Sequence, residues 1–249
     1  MPLIMGIINA TPDSFWAPSR YALHLLEDAP DLVDVGAVST RPGAADVSEK
    51  EEWERLEPVL KAVCSRVPFS VDTTRAGIVR RVFEHFGPFI VNDISAGEDD
   101  AAMLPTVAQL GLRYIAMHKR GNPRTMDALC DYGEGGVVPA LVRYFEEFER
   151  KAADAGIADW ILDPGLGFAK TAAQNWEILD RLPELKALGR PVLIGAADKR
   201  FTGGNTEEAH RRALKGGADI LRVHDVAAAR NTINQPATAG TCCCATLSG

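Results

Sequence analysis

Eight short apolar runs recur along the chain, and a segment with helical periodicity follows most of them. The runs cover residues 3–8, 32–35, 69–71, 89–91, 114–117, 160–162, 192–194 and 220–223. None alternates cleanly between apolar and polar residues, as expected of strands in a parallel sheet covered on both faces. Between them, 49–66 places Trp53, Leu56, Val59, Leu60 and Val63 on one face, and 138–155 and 176–188 keep the same period. Gly and Pro gather at the junctions. Eight β-then-α units in 249 residues, with no second compositional regime, predict an α/β fold. The expected architecture is a single closed (β/α)8 TIM barrel, a fold of about 250 residues, rather than an open sheet. The barrel is expected over 1–230. Residues 231–249 carry no helical stripe, and their Ala, Thr and Cys composition predicts an irregular tail. The stretch 15–31 is short for a loop plus a full helix, so the first loop is expected to be abbreviated.

Charge and cysteine usage narrow the function classes. A net charge of −7 argues against a general nucleic-acid binder. No apolar run approaches the ~20 residues of a membrane span. Residues 1–9 lack the basic region and small-residue cleavage site of a signal peptide. Cys64, Cys130 and the run Cys242-Cys243-Cys244 suit neither a disulfide framework nor a zinc site. A reducing cytoplasm is therefore expected, with small molecules rather than nucleic acid or membrane as partners.

In such a barrel, residues at the C-terminal ends of the strands face the active site. Strand 1 ends in Asn9, strand 2 runs into Asp34 and Gly36, and strand 3 ends in Asp72-Thr73. Strand 4 ends in Asn92-Asp93, strand 5 in His118, and strand 6 in Asp163-Pro164-Gly165. Strand 7 leads through Gly195 to Lys199, and strand 8 carries Arg222, His224 and Asp225. One such residue is ordinarily a cap or half of an ion pair. Eight at one mouth cost free energy unless they pair with each other or with a ligand. Asp72, Asp163 and Asn92 suit a flat, nitrogen-rich heterocycle whose amidine-like edge a carboxylate can grip through two hydrogen bonds. Lys199, Arg222 and His224 converge from strands 7 and 8, where barrels often hold a phosphate. No nucleophile–base pair and no metal-ligand cluster stands out. His118, without spaced His or Cys companions, reads as a hydrogen-bonded structural histidine or pocket wall.

The motifs carry a family resemblance. Met5-Gly6-Ile7-Ile8-Asn9-Ala10-Thr11-Pro12-Asp13-Ser14-Phe15 resembles the opening motif of dihydropteroate synthases. Val33-Asp34-Val35-Gly36 with Ser39-Thr40-Arg41-Pro42-Gly43-Ala44 resembles the second. Ser70-Val71-Asp72-Thr73, Val91-Asn92-Asp93-Ile94-Ser95 and Met117-His118 follow in the family's order. So do Asp163-Pro164-Gly165-Leu166-Gly167-Phe168 with Lys170 and Asn175, and Arg222-Val223-His224-Asp225-Val226.

The resemblance implies a transferase of folate biosynthesis. It would join 6-hydroxymethyl-7,8-dihydropterin diphosphate to 4-aminobenzoate with Mg²⁺, releasing diphosphate. By position, Asp72, Asn92, Asp163 and Lys199 would hold the pterin, with Asp72, Asp163 and Lys199 acting in catalysis. Asn9 would ligate Mg²⁺, and Asn9, Arg41, Arg222 and His224 would hold the diphosphate. Thr40, Pro42 and Phe168 would lie on the aminobenzoate side. Loss of diphosphate would leave a cationic pterin methylene, which Asp72 and Asp163 stabilise electrostatically. Two other readings share these residues: a catalytically silent pterin-binding barrel, and the pterin domain of a corrinoid-linked methyltetrahydrofolate methyltransferase. The 39–44 loop and Lys199 belong to the synthase pattern. The chain departs from that pattern at Ala197-Asp198-Lys199, where the family has Ser-Arg-Lys. It departs also at Trp16-Ala17-Pro18, in the short segment 201–217 that usually supplies a helix to a homodimer face, and in the tail.

Overall fold

A computed structural model describes residues 1–10, 24–38, 47–121, 125–197 and 199–234. Its strands are β1 (Leu3–Asn9), β2 (Leu32–Gly36), β3 (Phe69–Asp72), β4 (Ile90–Asp93), β5 (Arg113–Met117), β6 (Trp160–Asp163), β7 (Leu193–Ile194) and β8 (Ile220–Val223). They pair in parallel in the order β6-β5-β4-β3-β2-β1-β8-β7. A parallel bridge between Leu162 and Val192 joins β6 to the start of β7, so the sheet closes on itself as expected. Four strands, β1, β2, β3 and β6, run one residue further than their apolar runs. The polar residues Asn9, Asp72 and Asp163 are therefore the last residues of the strands, held in the ladder rather than placed on loops.

The outer ring comprises α1 (Glu49–Val63), α2 (Ala76–Phe86), α3 (Met103–Leu110), α4 (Val137–Ala155), α5 (Ala172–Asp180), α6 (Leu182–Lys186), α7 (Thr206–Lys215) and α8 (Val226–Asn234). Ser48 caps α1, accepting from Glu51 N at 3.2 Å. Thr171 and Gln174 form a capping box at the start of α5. The helical pattern over 176–188 is broken in two at Arg181, whose φ of −107° leaves the helix. Pro183 then opens α6, because it has no N–H to continue the ladder of α5. At the other end, α8 runs through Asn234, past the expected boundary at 231. Ala229 and Thr232 are buried on its inner face, and the Thr232 hydroxyl donates to Ala228 O at 3.0 Å. The remaining tail, 235–249, lies outside the described residues.

Strand alternation separates two cores. Ile4, Ile8, Val33, Val35, Val71, Val91, Tyr114, Trp160, Leu162, Leu221 and Val223 pack outward with helix residues such as Leu56, Ile78 and Leu141. Met5, Leu32, Ile115, Ile161, Leu193 and Ile220 form a second cluster inside the barrel, with Ile90 against it. That apolar plug occupies the N-terminal half. Two residues further along the same strands come Asp34, Asn92, Asp163 and Arg222, on the same inward face. The polar layer is therefore built by continuing one alternation from a dry floor.

Candidate active site

Asp34 is the centre of that layer. It is fully buried and stands opposite Ser70 in the β2–β3 register. Its carboxylate accepts from the Ser70 hydroxyl, from Asn92 Nδ2 at 3.0 Å and from Arg222 Nε at 2.7 Å. Arg222 Nη2 lies 2.6 Å from Asp34 and donates to Asp72 Oδ2 at 3.2 Å, so one guanidinium serves two carboxylates. Asp72 reaches this position because Gly36 is its neighbour across the ladder. A Cβ on Gly36 would stand 3.3 Å from that of Asp72. Arg222, assigned to the diphosphate by resemblance, is thus held between Asp34 and Asp72.

Sharing one cation has a measurable consequence. Burial, then the neighbouring Asp34 charge, raise the Asp72 pKa to about 7, against the pull of Arg222. A carboxyl group that ionises at about 4 in the unfolded chain is thus harder to ionise in the fold. Its cost to stability is absent at acid pH, grows between about 4 and about 7, and is complete above that. Asp72→Asn should therefore melt higher than the parent at pH 8, by roughly 2–4 °C per kcal/mol released, with the gap shrinking by pH 5. An equal gap at both values in thermal unfolding would contradict the shared-cation picture.

Asp163 ends β6 beside β5, where Met117 is its register partner. Its Oδ1 accepts from Gly165 N at 2.8 Å. Burial raises its pKa, while that hydrogen bond and the charges of Arg222, Lys199 and Lys170 hold it down. Lys199 follows β7, with its Nζ 4.5 Å from the centre of the Phe168 ring. Its stem passes Gly167, where a Cβ would come within 3.1 Å of Lys199 Cδ. Burial and Arg222 bring the Lys199 pKa down to about 8, against the carboxylates Asp163 and Asp72. Lys199 is thus a cation that can give up its proton near neutrality.

The other expected residues fall in three places. Asn9 is exposed at the end of β1. His224 lines a cavity of about 440 Å³ beyond β8, with Ala197, Glu207 and His210. Thr40, Arg41 and Pro42 lie outside the described residues, as does Asp198. His118 is buried, with its ring edge-on to Tyr144 at 4.7 Å, and burial and Lys170 lower its pKa well below the usual value. Asp34, counted among the strand-end residues, receives no role from the sequence. Its signal was a lone acid inside an apolar strand, two residues past inward-facing Leu32. Glu52 was hidden by the acidic first turn of α1. It is buried, accepts from the Thr73 hydroxyl at 2.6 Å and pairs with Arg75, which also donates to Val47 O at 2.6 Å. This arrangement anchors the exit of β3 immediately after Asp72.

A closed barrel whose mouth holds, among the described residues, three acidic side chains, a carboxamide and two cations defines an enzyme-type site for a polar, planar, nitrogen-rich ligand. The sequence profile of pterin binding enzymes matches residues 5–224. The dihydropteroate synthase of Synechocystis is 40% identical, over 90% of this chain and 86% of that protein. That of Escherichia coli K12 is 36% identical, over 90% and 87%. Among solved structures, Xanthomonas albilineans dihydropteroate synthase with 4-aminobenzoic acid superposes with a TM-score of 0.85 at 35% identity, covering 93% of this chain and 90% of that one. The Yersinia pestis dihydropteroate synthase in a sulfonamide drug complex gives 0.85 at 34%, covering 93% and 92%. The chain belongs to the pterin-binding enzyme family, in its dihydropteroate synthase branch.

Proposed function

We propose that this chain condenses 6-hydroxymethyl-7,8-dihydropterin diphosphate with 4-aminobenzoate, giving 7,8-dihydropteroate and diphosphate. The observation that carries the reading is the buried polar layer, in which, among the described residues, Asp34 and Asp72 share Arg222 and Asp163 lies within the field of Arg222, Lys199 and Lys170. The layer is rich in hydrogen-bond acceptors. A pterin supplies N–H donors along one edge, and the methylene left when diphosphate departs supplies positive charge.

In this reading Asp163, Asn92 and Lys199 hold the ring, and Asp72 and Asp163 stabilise the charge that develops as the methylene C–O bond breaks. The aminobenzoate nitrogen then attacks the methylene carbon, and its proton passes to solvent. An aromatic amine needs no strong base for this, and positioning against Phe168 supplies much of the remainder. His224 and Arg41 hold the leaving diphosphate, with Arg222 at the boundary between diphosphate and ring. Mg²⁺ fits the donor set: it takes one or two protein oxygens and completes its shell with substrate phosphate and water. Asn9 offers one exposed carboxamide oxygen at the mouth. When bound, the ion would neutralise charge on the leaving group. The family resemblance assigns Thr40 and Pro42 to the aminobenzoate side. Ala197 lacks the hydroxyl that the family's Ser would present there. The same reading includes a cytoplasmic location and a homodimer. Among the described residues no helix is long and apolar enough to cross a membrane.

The test is direct. Purified protein with Mg²⁺, the pterin diphosphate and 4-aminobenzoate should release diphosphate and form dihydropteroate in equal amounts, and chelation should stop both until Mg²⁺ is returned. Binding of the pterin diphosphate without turnover would replace this reading with a silent barrel. Methyl transfer from methyltetrahydrofolate to a corrinoid protein would replace it with a methyltransferase.

A further inference from the structure

Lys170 is a buried ammonium that the proposed reaction does not use. It is 8% exposed, on the loop between β6 and α5. Its Nζ donates to Gly165 O at 3.0 Å and Phe168 O at 2.9 Å, and lies 3.1 Å from His118 Nδ1. Three acceptors match the three protons of an ammonium group. All three are neutral, although burying an ammonium ordinarily requires a paired charge.

The two carbonyls bracket the turn that carries the site. Gly165 N donates to the Asp163 carboxylate, and Phe168 packs under Lys199 Nζ. The turn is tight: Gly165 has φ +68°, and a Cβ there would lie 2.1 Å from His118 O. Asn175 closes its far side, accepting from Gly167 N at 2.7 Å and donating to Thr171 O at 2.7 Å. Asp163 is therefore bracketed by two lysines, Lys199 on the Phe168 side and Lys170 behind the turn.

We infer that protonated Lys170 is a positioning residue for pterin recognition, fixing the turn over 163–168 and thereby the orientation and charge of the Asp163 carboxylate. The inference rests on the proposed pterin reading. Its electrostatics agree with the geometry. Burial lowers the Lys170 pKa to about 7, Asp163 raises it, and Lys199 opposes its charge. Of the groups facing it from the loop after β5, Cys130 raises it and Arg120 lowers it. His118 is held neutral by burial and by Lys170 itself, so it remains an acceptor. As pH rises through neutrality the ammonium loses its proton, and with it the charge behind Asp163.

Fluorescence titration with 6-hydroxymethylpterin, without diphosphate or Mg²⁺, isolates ring binding from turnover. Lys170→Met should bind about tenfold more weakly than the parent at pH 6.5. The ratio of the two affinities should fall toward one by pH 9. Taking the ratio cancels ionisation of the pterin, which both titrations share. A ratio that does not change with pH, or one within twofold of unity throughout, would overturn the inference. If Lys170→Met does not fold, His118→Phe removes one acceptor while keeping an aromatic ring against Tyr144. It should weaken binding at pH 6.5, and unchanged affinity there would overturn the inference too. Asp163→Asn separates the two levels. Weak binding in that variant beside normal binding in Lys170→Met overturns the positioning role alone. Normal binding in both overturns the pterin reading beneath it.

Discussion

Asp163→Asn should lower kcat/KM for the pterin diphosphate by about 10²–10³-fold, equivalent to some 2.7–4 kcal/mol of transition-state stabilisation, while the protein stays folded. The substitution is nearly isosteric. The carboxamide oxygen can still accept from Gly165 N, now at 2.8 Å, so the turn keeps its anchor. The negative charge is lost. Asp163 sits at the end of a barrel strand with burial raising its pKa, and the surrounding cations Arg222, Lys199 and Lys170 keep it ionisable. A neutral group there loses its attraction for a cationic methylene, and its NH₂ end faces the pterin's own donors. Lys199 should change with it. Of the two carboxylates that sustain the Lys199 charge, Asp163 contributes more than Asp72, so the Lys199 proton should leave at lower pH in the variant. Steady-state diphosphate release across pH 6–9, alongside thermal unfolding, reads both effects. A loss below fivefold with an unchanged pH profile would remove Asp163 from the chemistry.

The barrel was legible because its grammar is periodic. Eight apolar runs, each buried on both faces, recur at spacings that only a βα repeat satisfies, and the order of strand-end residues carried the family. The parts that were not legible depend on three-dimensional neighbours. Asp34 and Arg222 are 188 positions apart, and nothing local in Val33-Asp34-Val35 says that its acid will meet a guanidinium from β8. Arg222 was placed with the diphosphate because of its motif. Its partners in the closed ring are the two acids of β2 and β3, which adjoin β8 only across the barrel interior. Lys170 enters the sequence reading only as a motif residue and Glu52 does not enter it, since charge is visible in a sequence and burial is not. The helix break at Arg181 was visible only in part, because Pro183 permits either a continued first turn or a new helix.

Asp34→Ala should be the most damaging single change to the fold at this site, costing about 3–5 kcal/mol, as expected when one partner of a buried ion pair is removed. In a domain of this size that corresponds to a melting temperature lower by roughly 10 °C. Asp34 accepts from Ser70 on one carboxylate oxygen and from Asn92 and Arg222 Nε on the other, with Arg222 Nη2 2.6 Å from that second oxygen as an ion pair. Without it, the Asn92 amide loses its acceptor inside the barrel and the Ser70 hydroxyl keeps only Val33 O, at 3.5 Å. Arg222 keeps only Asp72, at 3.2 Å. Simple loss of volume predicts something different, and a double-mutant cycle separates the two. If the cost is an uncompensated buried cation, Arg222→Met should restore part of the stability lost in Asp34→Ala, because apolar replacement of a buried pair is tolerated better than half of it. If the cost is only a cavity, the second substitution should add to the first. Both proteins should be inactive, since Asp72 would then have lost its guanidinium or its fixed place beside Asn92. Stability can therefore recover while activity does not, and that divergence would identify the layer as a site maintained at the expense of the fold around it.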